Sequence, residues 1–297
     1  MTTNPLWRGC FGEFLGTFLL VLFGTSTVAV TVLFKAHVGL LQVAGVWGMG
    51  VTLAIYATRH LSCAHLNPAV SLGMVLANRM RVGILPWYVA SQLLGGIAAG
   101  GVVLLLFGDS ISAYEAAHQI TRGAPESVGT AMMFGEYFPN PGVADVRPVV
   151  TMATAALAEG FGTFLLVLLI FVLTEGCNVG RPASGSTPVF IGAAVATIIS
   201  ILAPLTQAGL NPARDFGPRL VAFLAGWKGV AIPGPRGGFF MVYILAPLLG
   251  GAAAALCFRL LVSRLMGAPA KSACGKDGSC DTPAASRGAE PQKQGDS

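Results

Sequence analysis

The stretch Ala208-Gly209-Leu210-Asn211-Pro212-Ala213-Arg214-Asp215 repeats a phrase met earlier as Ala64-His65-Leu66-Asn67-Pro68-Ala69-Val70, the two asparagines standing 144 positions apart. Asn-Pro-Ala reads as a helix start: Asn caps, and Pro at the first helical position gives up an N–H that had no partner there anyway. One copy marks any short loop ahead of a helix. Two copies at matching places in a very apolar chain organise everything around them.

The repetition reaches outward from these two phrases. Glu13-Phe14-Leu15-Gly16-Thr17-Phe18-Leu19-Leu20-Val21-Leu22 returns as Glu159-Gly160-Phe161-Gly162-Thr163-Phe164-Leu165-Leu166-Val167-Leu168, an offset of 146. Leu93-Leu94-Gly95-Gly96 returns as Leu248-Leu249-Gly250-Gly251, an offset of 155, so the second half carries about 11 extra residues before its last apolar run.

Composition assigns the class. Of 297 residues, 54% are hydrophobic and 10% charged, against about 25% charged in an average soluble domain. So little charge cannot cover a water-facing surface, and lipid must cover it instead: the chain is a polytopic membrane protein. The net charge of +5 therefore bears on membrane orientation. No basic stripe with interleaved aromatics suggests a nucleic-acid partner. Cys10, Cys63, Cys177 and Cys257 lie in or beside apolar runs and read as small buried hydrophobes, not as a disulfide framework. Cys274 and Cys280 stand in a polar tail. They form no metal-type set with His37, His60, His65 and His118, so neither metal nor cofactor is expected.

Apolar runs at about 14–34, 39–58, 85–107, 150–173, 188–206 and 239–263 are each long enough to cross a bilayer at 1.5 Å per residue. The run after Asn67, to about residue 78, is too short to cross and reads as a re-entrant half-helix; its counterpart covers 211–225. The expected organisation is an N-terminus at 1–11, a first repeat at 12–107 and a connection at 108–149. A second repeat at 150–264 and a disordered tail at 265–297 follow. Three spans per repeat is an odd number, so the second copy enters from the opposite face, an inverted 3+3 repeat. The fold class is an all-α membrane protein of six transmembrane helices and two half-helices. Arg8, Arg59, Arg79, Arg81, Arg181, Arg264 and Lys271 fall on one side, and Lys35, Arg122, Arg147, Lys228 and Arg236 on the other. That bias favours both termini in the cytoplasm.

Inverted halves would bring the two half-helices together near the midplane, N-terminus to N-terminus, each end carrying roughly +0.5 of an elementary charge. Asn67 and Asn211 would add side-chain NH₂ donors there. Cys63, Ala64, His65 and Leu66 before one half-helix, and Gln207, Ala208, Gly209 and Leu210 before the other, can turn carbonyls toward a cavity at membrane depth. Such a path suits a neutral hydroxyl-bearing solute and repels a cation. Arg214 lies at the same depth, where an unpaired guanidinium costs at least ~2.5 kcal/mol, which favours a functional role for it. Glu13 and Glu159 read either as interfacial charges or as buried carboxylates bracing the loops at 59–66 and 203–210. Trp47 alone reads as a packing aromatic.

These residues resemble the major intrinsic protein (aquaporin) family over about residues 8–265, and within it the aquaglyceroporins of the bacterial glycerol-facilitator kind. The resemblance implies a homotetramer in a cell membrane with one glycerol-conducting pore per subunit, and it favours the bracing role for Glu13 and Glu159. It further implies a selectivity filter of Trp47, Ile199, Ala208 and Arg214. Tyr137, Asp215, Arg219 and the Pro247-Leu248 pair agree with the glycerol branch, as do the extra residues about Gly226 to Gly238. The sequence departs from that branch at Cys63 and Gln207, where Gly is usual, and at Ile199 and Ala208, where Gly and Phe are usual. Trp/Ile/Ala/Arg is similar to the plant nodulin-like members, which leaves weak acids, ammonia and metalloid hydroxides beside glycerol, urea and water as solutes. A secondary transporter would share inverted repeats but would need ionisable couplers facing the site. An enzyme would need a nucleophile–base or metal set, for which no spacing exists here.

Overall fold

In the computed structural model, which describes residues 4–143 and 149–266, Asn4 opens the first helix. Its side chain accepts from Leu6 N at 3.0 Å, and Pro5 takes the first helical position. Helix α1 therefore covers Pro5–Phe34 and starts ahead of the apolar run, not near residue 12: the cap, not the hydropathy, sets its beginning. Then follow α2 (Leu40–Ser62), the half-helix α3 (Pro68–Leu76) and α4 (Leu85–Ala117).

The second half runs α5 (Met152–Thr174), α6 (Thr187–Thr206), the half-helix α7 (Pro212–Ala222) and α8 (Phe240–Leu265). Among the described residues no strand occurs, and six helices are long and apolar enough to span a membrane. The chain is a multi-pass membrane protein.

Two boundaries differ from expectation for local reasons. Helix α4 continues past residue 107 to Ala117, because Ile111 and Glu115 give its extension a buried face. Ile111 joins a core cluster with Phe134 and Trp227. At 1.5 Å per residue its 33 residues reach about 50 Å, so the last turns project beyond the ~30 Å hydrocarbon layer. Helix α7 ends at Ala222, short of residue 225, where the backbone widens through Phe223–Trp227 and reverses at Gly226, whose φ is 109°.

Packing repeats between the halves. In the first, α1 lies against α2 and α4; in the second, α5 lies against α6 and α8. Each half-helix is then exchanged: α3 packs on α8, and α7 packs on α4. The repeated Gly-Gly pairs make this possible. A Cβ on Gly96 would sit 2.6 Å from Ala213 O, and one on Gly251 would sit 2.7 Å from Ala69 O. The small residues at these two positions let each long helix touch the backbone of the other half's half-helix.

Cys10, Cys177 and Cys257, expected as small buried thiols, are free, but Cys10 and Cys257 are only half-buried and Cys177, just past the end of α5, is exposed. Cys274, Cys280, Lys271 and Arg147, and the expected disordered tail from residue 267 onward, lie outside the described residues.

Candidate functional site

The segments entering the two half-helices share one backbone shape. Cys63, Ala64 and Leu66 have φ of 65°, 53° and 54°; Gln207, Ala208 and Leu210, each 144 positions later, have 64°, 58° and 57°. Left-handed conformations at non-glycine residues carry strain, and here they come six at a time. What holds them is two buried carboxylates. Glu13, fully buried, accepts from His65 N at 2.9 Å and Leu66 N at 2.7 Å; Glu159, also fully buried, accepts from Gly209 N at 2.9 Å and Leu210 N at 2.7 Å. Gln92 Nε2 supports Glu13 at 2.7 Å, and Thr206 Oγ1 supports Glu159 at 2.6 Å. Glu13 and Glu159 therefore sit inside the bundle and not at its interface.

The asparagines meet at the centre. Asn67 Oδ1 caps α3 by accepting from Ala69 N at 2.8 Å, and Asn211 Oδ1 caps α7 by accepting from Ala213 N and Arg214 N at 3.0 and 3.2 Å. Their amides cross over: Asn67 Nδ2 donates to Leu210 O at 2.9 Å, and Asn211 Nδ2 donates to Leu66 O at 2.8 Å. Each NH₂ thus spends one hydrogen on the opposite loop and keeps one. The carbonyls of Leu66 and Leu210 are engaged in this crossing.

A cavity of about 490 Å³ is lined by both asparagines, by Arg8, Arg59, His60, Arg181 and Ser184, and by Trp47, Ile199, Ala208 and Arg214. Cys63, Ala64, His65, Leu66, Ala208, Gly209 and Leu210 all line it. Gln207 does not: its Oε1 accepts from Tyr137 N at 2.9 Å and its Nε2 reaches Met132 O at 3.4 Å. The guanidinium carbon of Arg214 lies 3.9 Å from the centre of the Trp47 ring, a cation–π contact. Ile199 and Ala208 are buried within the same cluster as Trp47.

Arg214 also pairs with Glu136, a residue of the connection between the halves. Nothing in the repeat pattern singles out Glu136; the signal available is its setting among Phe134, Tyr137 and Phe138, too apolar for a surface loop. Its backbone is pinned as well, Glu136 N donating to Asp215 Oδ1 at 2.7 Å and Arg219 Nη2 donating to Glu136 O. Arg219 further binds Asp215 at 2.8–2.9 Å and Ala231 O at 2.8 Å, with the Tyr137 ring 4.8 Å from its guanidinium carbon. Asp215, Arg219 and Tyr137 thus tie α7 to the connection and to the extra residues of the second half. Trp227 completes that tie through its Nε1, 3.0 Å from Thr130 Oγ1. Pro247 is buried in α8, and Leu248 beside it is half-buried; neither lines the cavity.

Two braced half-helices, capped by paired asparagines and followed by a buried arginine, thus meet inside the bundle. A glycerol uptake facilitator protein of Pseudomonas aeruginosa is 38% identical over 88% of this chain and 91% of its own. One from Haemophilus influenzae is 39% identical over 86% and 94%, and a propanediol uptake facilitator of Citrobacter freundii is 38% identical over 88% and 94%. The X-ray structure of the aquaglyceroporin from Plasmodium falciparum superposes with a TM-score of 0.76 at 24% identity, covering 88% of this chain and 99% of that one, and so shares the fold. The profile described as Major intrinsic protein matches residues 1–258, and the chain belongs to that family.

Proposed function

We propose that the chain is a passive channel for glycerol and other small uncharged solutes, urea and water among them, that excludes ions and protons and catalyses no reaction. The observation carrying this reading is the crossed asparagine pair at the meeting point of two half-helix N-termini, on a cavity that Trp47 and Arg214 also line. Two positive dipole ends and a guanidinium oppose a cation, while spare amide hydrogens serve a hydroxyl oxygen. The names of the relatives, glycerol and propanediol uptake facilitators, support polyols as the solute class.

The filter assigned to Trp47, Ile199, Ala208 and Arg214 supports a second reading, a channel with a broader range of neutral solutes, because Ile199 and Ala208 stand where the glycerol-facilitator branch that the chain resembles usually carries Gly and Phe. The chain acts as a homotetramer in the plasma membrane with both termini in the cytoplasm, a placement supported by the arginine bias of the loops. Stopped-flow light scattering on proteoliposomes with glycerol, propane-1,2-diol, urea, water and a small weak acid tests these readings. Polyol flux well above that of protein-free vesicles supports the first; flux of the weak acid or urea alone replaces it with the second.

A further inference from the structure

We propose that Glu136 is a positioning residue for Arg214, and that it sets the size of solute the constriction admits. This rests on the reading of Trp47 and Arg214 as the constriction of a neutral-solute channel. Arg214 is held from two sides, by the Trp47 ring 3.9 Å from its guanidinium carbon and by the Glu136 carboxylate. At 3.9 Å the two are in van der Waals contact, so nothing passes between guanidinium and indole as they stand. A solute must go past Ile199 and Ala208 or push the arginine back.

The carboxylate is built to resist that push. Glu136 is 2% exposed, and its main chain is fixed at both ends by Asp215 and Arg219. Its Cγ lies against Gly209, where an added Cβ would stand 3.3 Å away. Its Oε2 has no hydrogen-bond partner, so the side chain is kept there by its bond to Arg214 through Oε1 and not by a second donor. Removing the carboxylate leaves the buried guanidinium without its ion-pair partner, in contact with the Trp47 ring. A cation–π contact is weaker than the cost of holding an unpaired charge away from water. The arginine then moves off Trp47 toward water, and the gap between them opens. The loop itself stays, because its backbone bonds do not involve the Glu136 side chain.

The test is permeability of erythritol relative to glycerol in proteoliposomes bearing the parent, Glu136→Gln or Glu136→Ala. The ratio is expected to rise several-fold in both variants. A purely structural role would lower both solutes together and leave the ratio unmoved. Melting of the parent, Glu136→Gln, Arg214→Gln and the double variant gives a readout independent of any solute. Pairing predicts a double variant no less stable than the worse single one. An unchanged ratio in variants that fold, or melting shifts that simply add, overturns the proposal. A parent that passes no glycerol would instead sink the proposed function, and the melting cycle would still decide the role of Glu136.

Discussion

Asn67 and Asn211 hold each other's loops, the amide of each donating to the carbonyl that immediately precedes the other, at 2.9 and 2.8 Å. Neither half of the repeat can complete its own centre. The two half-helix N-termini, which repel as dipole ends, are kept together by two hydrogen bonds that only the opposite repeat can supply.

Replacing either asparagine with Leu is therefore expected to remove a cap and a cross-link at once. Loss of the cap alone costs about 0.5–2 kcal/mol, and the orphaned Leu66 or Leu210 carbonyl adds about 1–3 kcal/mol. Lower melting temperature together with reduced glycerol flux is the expected pair of results for Asn67→Leu and Asn211→Leu. Parent-like behaviour in both would remove the centre from the account.

The bracing carboxylates make a prediction about order of effects. Glu13→Ala and Glu159→Ala each strand two consecutive backbone N–H groups, at about 1–3 kcal/mol per group, and release three left-handed residues. Thermal stability in detergent should fall clearly in both, before any change in the ratio of solute permeabilities. A variant that melts like the parent would mean that the strained loops hold themselves.

Two glycines of one helix provide a matched comparison. A Cβ at Gly96 meets Ala213 O at 2.6 Å, whereas one at Gly101 meets nothing within 4 Å. Gly96→Ala should hinder the seating of α7 and lower both yield and melting temperature. Gly101→Ala should be neutral, or stabilising by up to about 1 kcal/mol from helix propensity. Equal effects of the two would contradict the close α4–α7 contact.

The filter assignment predicts an outcome for Ile199→Gly with Ala208→Phe. Ile199 and Ala208 line the cavity beside Trp47 and Arg214, so the exchange moves bulk from one wall to the other. The glycerol-to-water permeability ratio should shift in the double variant and in each single one. If all three match the parent for both solutes, the register placing these positions at the constriction is wrong.

Much of this was legible in the sequence because it is written twice. The Asn-Pro-Ala phrase and the Glu-containing helix starts recur at offsets of 144 and 146, the Gly-Gly pairs at 155, and each pair proves to be a matched contact in the two halves. What could not be read is what occurs once. Glu136 reaches Arg214 across 78 positions of chain, from a connection with neither periodicity nor a counterpart in the other half. Gln207 carries no internal cue that its amide turns from the cavity to Tyr137 and Met132. Helix ends were misplaced wherever a cap or a packed face outside the lipid decided them, as Asn4 does for α1 and Ile111 for α4.

The central claim is passive conduction of a small uncharged solute through this pathway. Its most direct measurement is glycerol entry into proteoliposomes over a series of rising glycerol gradients, with and without an imposed proton gradient. The account predicts a permeability coefficient several-fold above that of protein-free vesicles, constant across the gradients and indifferent to protons. A coefficient equal to that of empty vesicles, one that falls by saturation at low millimolar glycerol, or one that follows the proton gradient would contradict it.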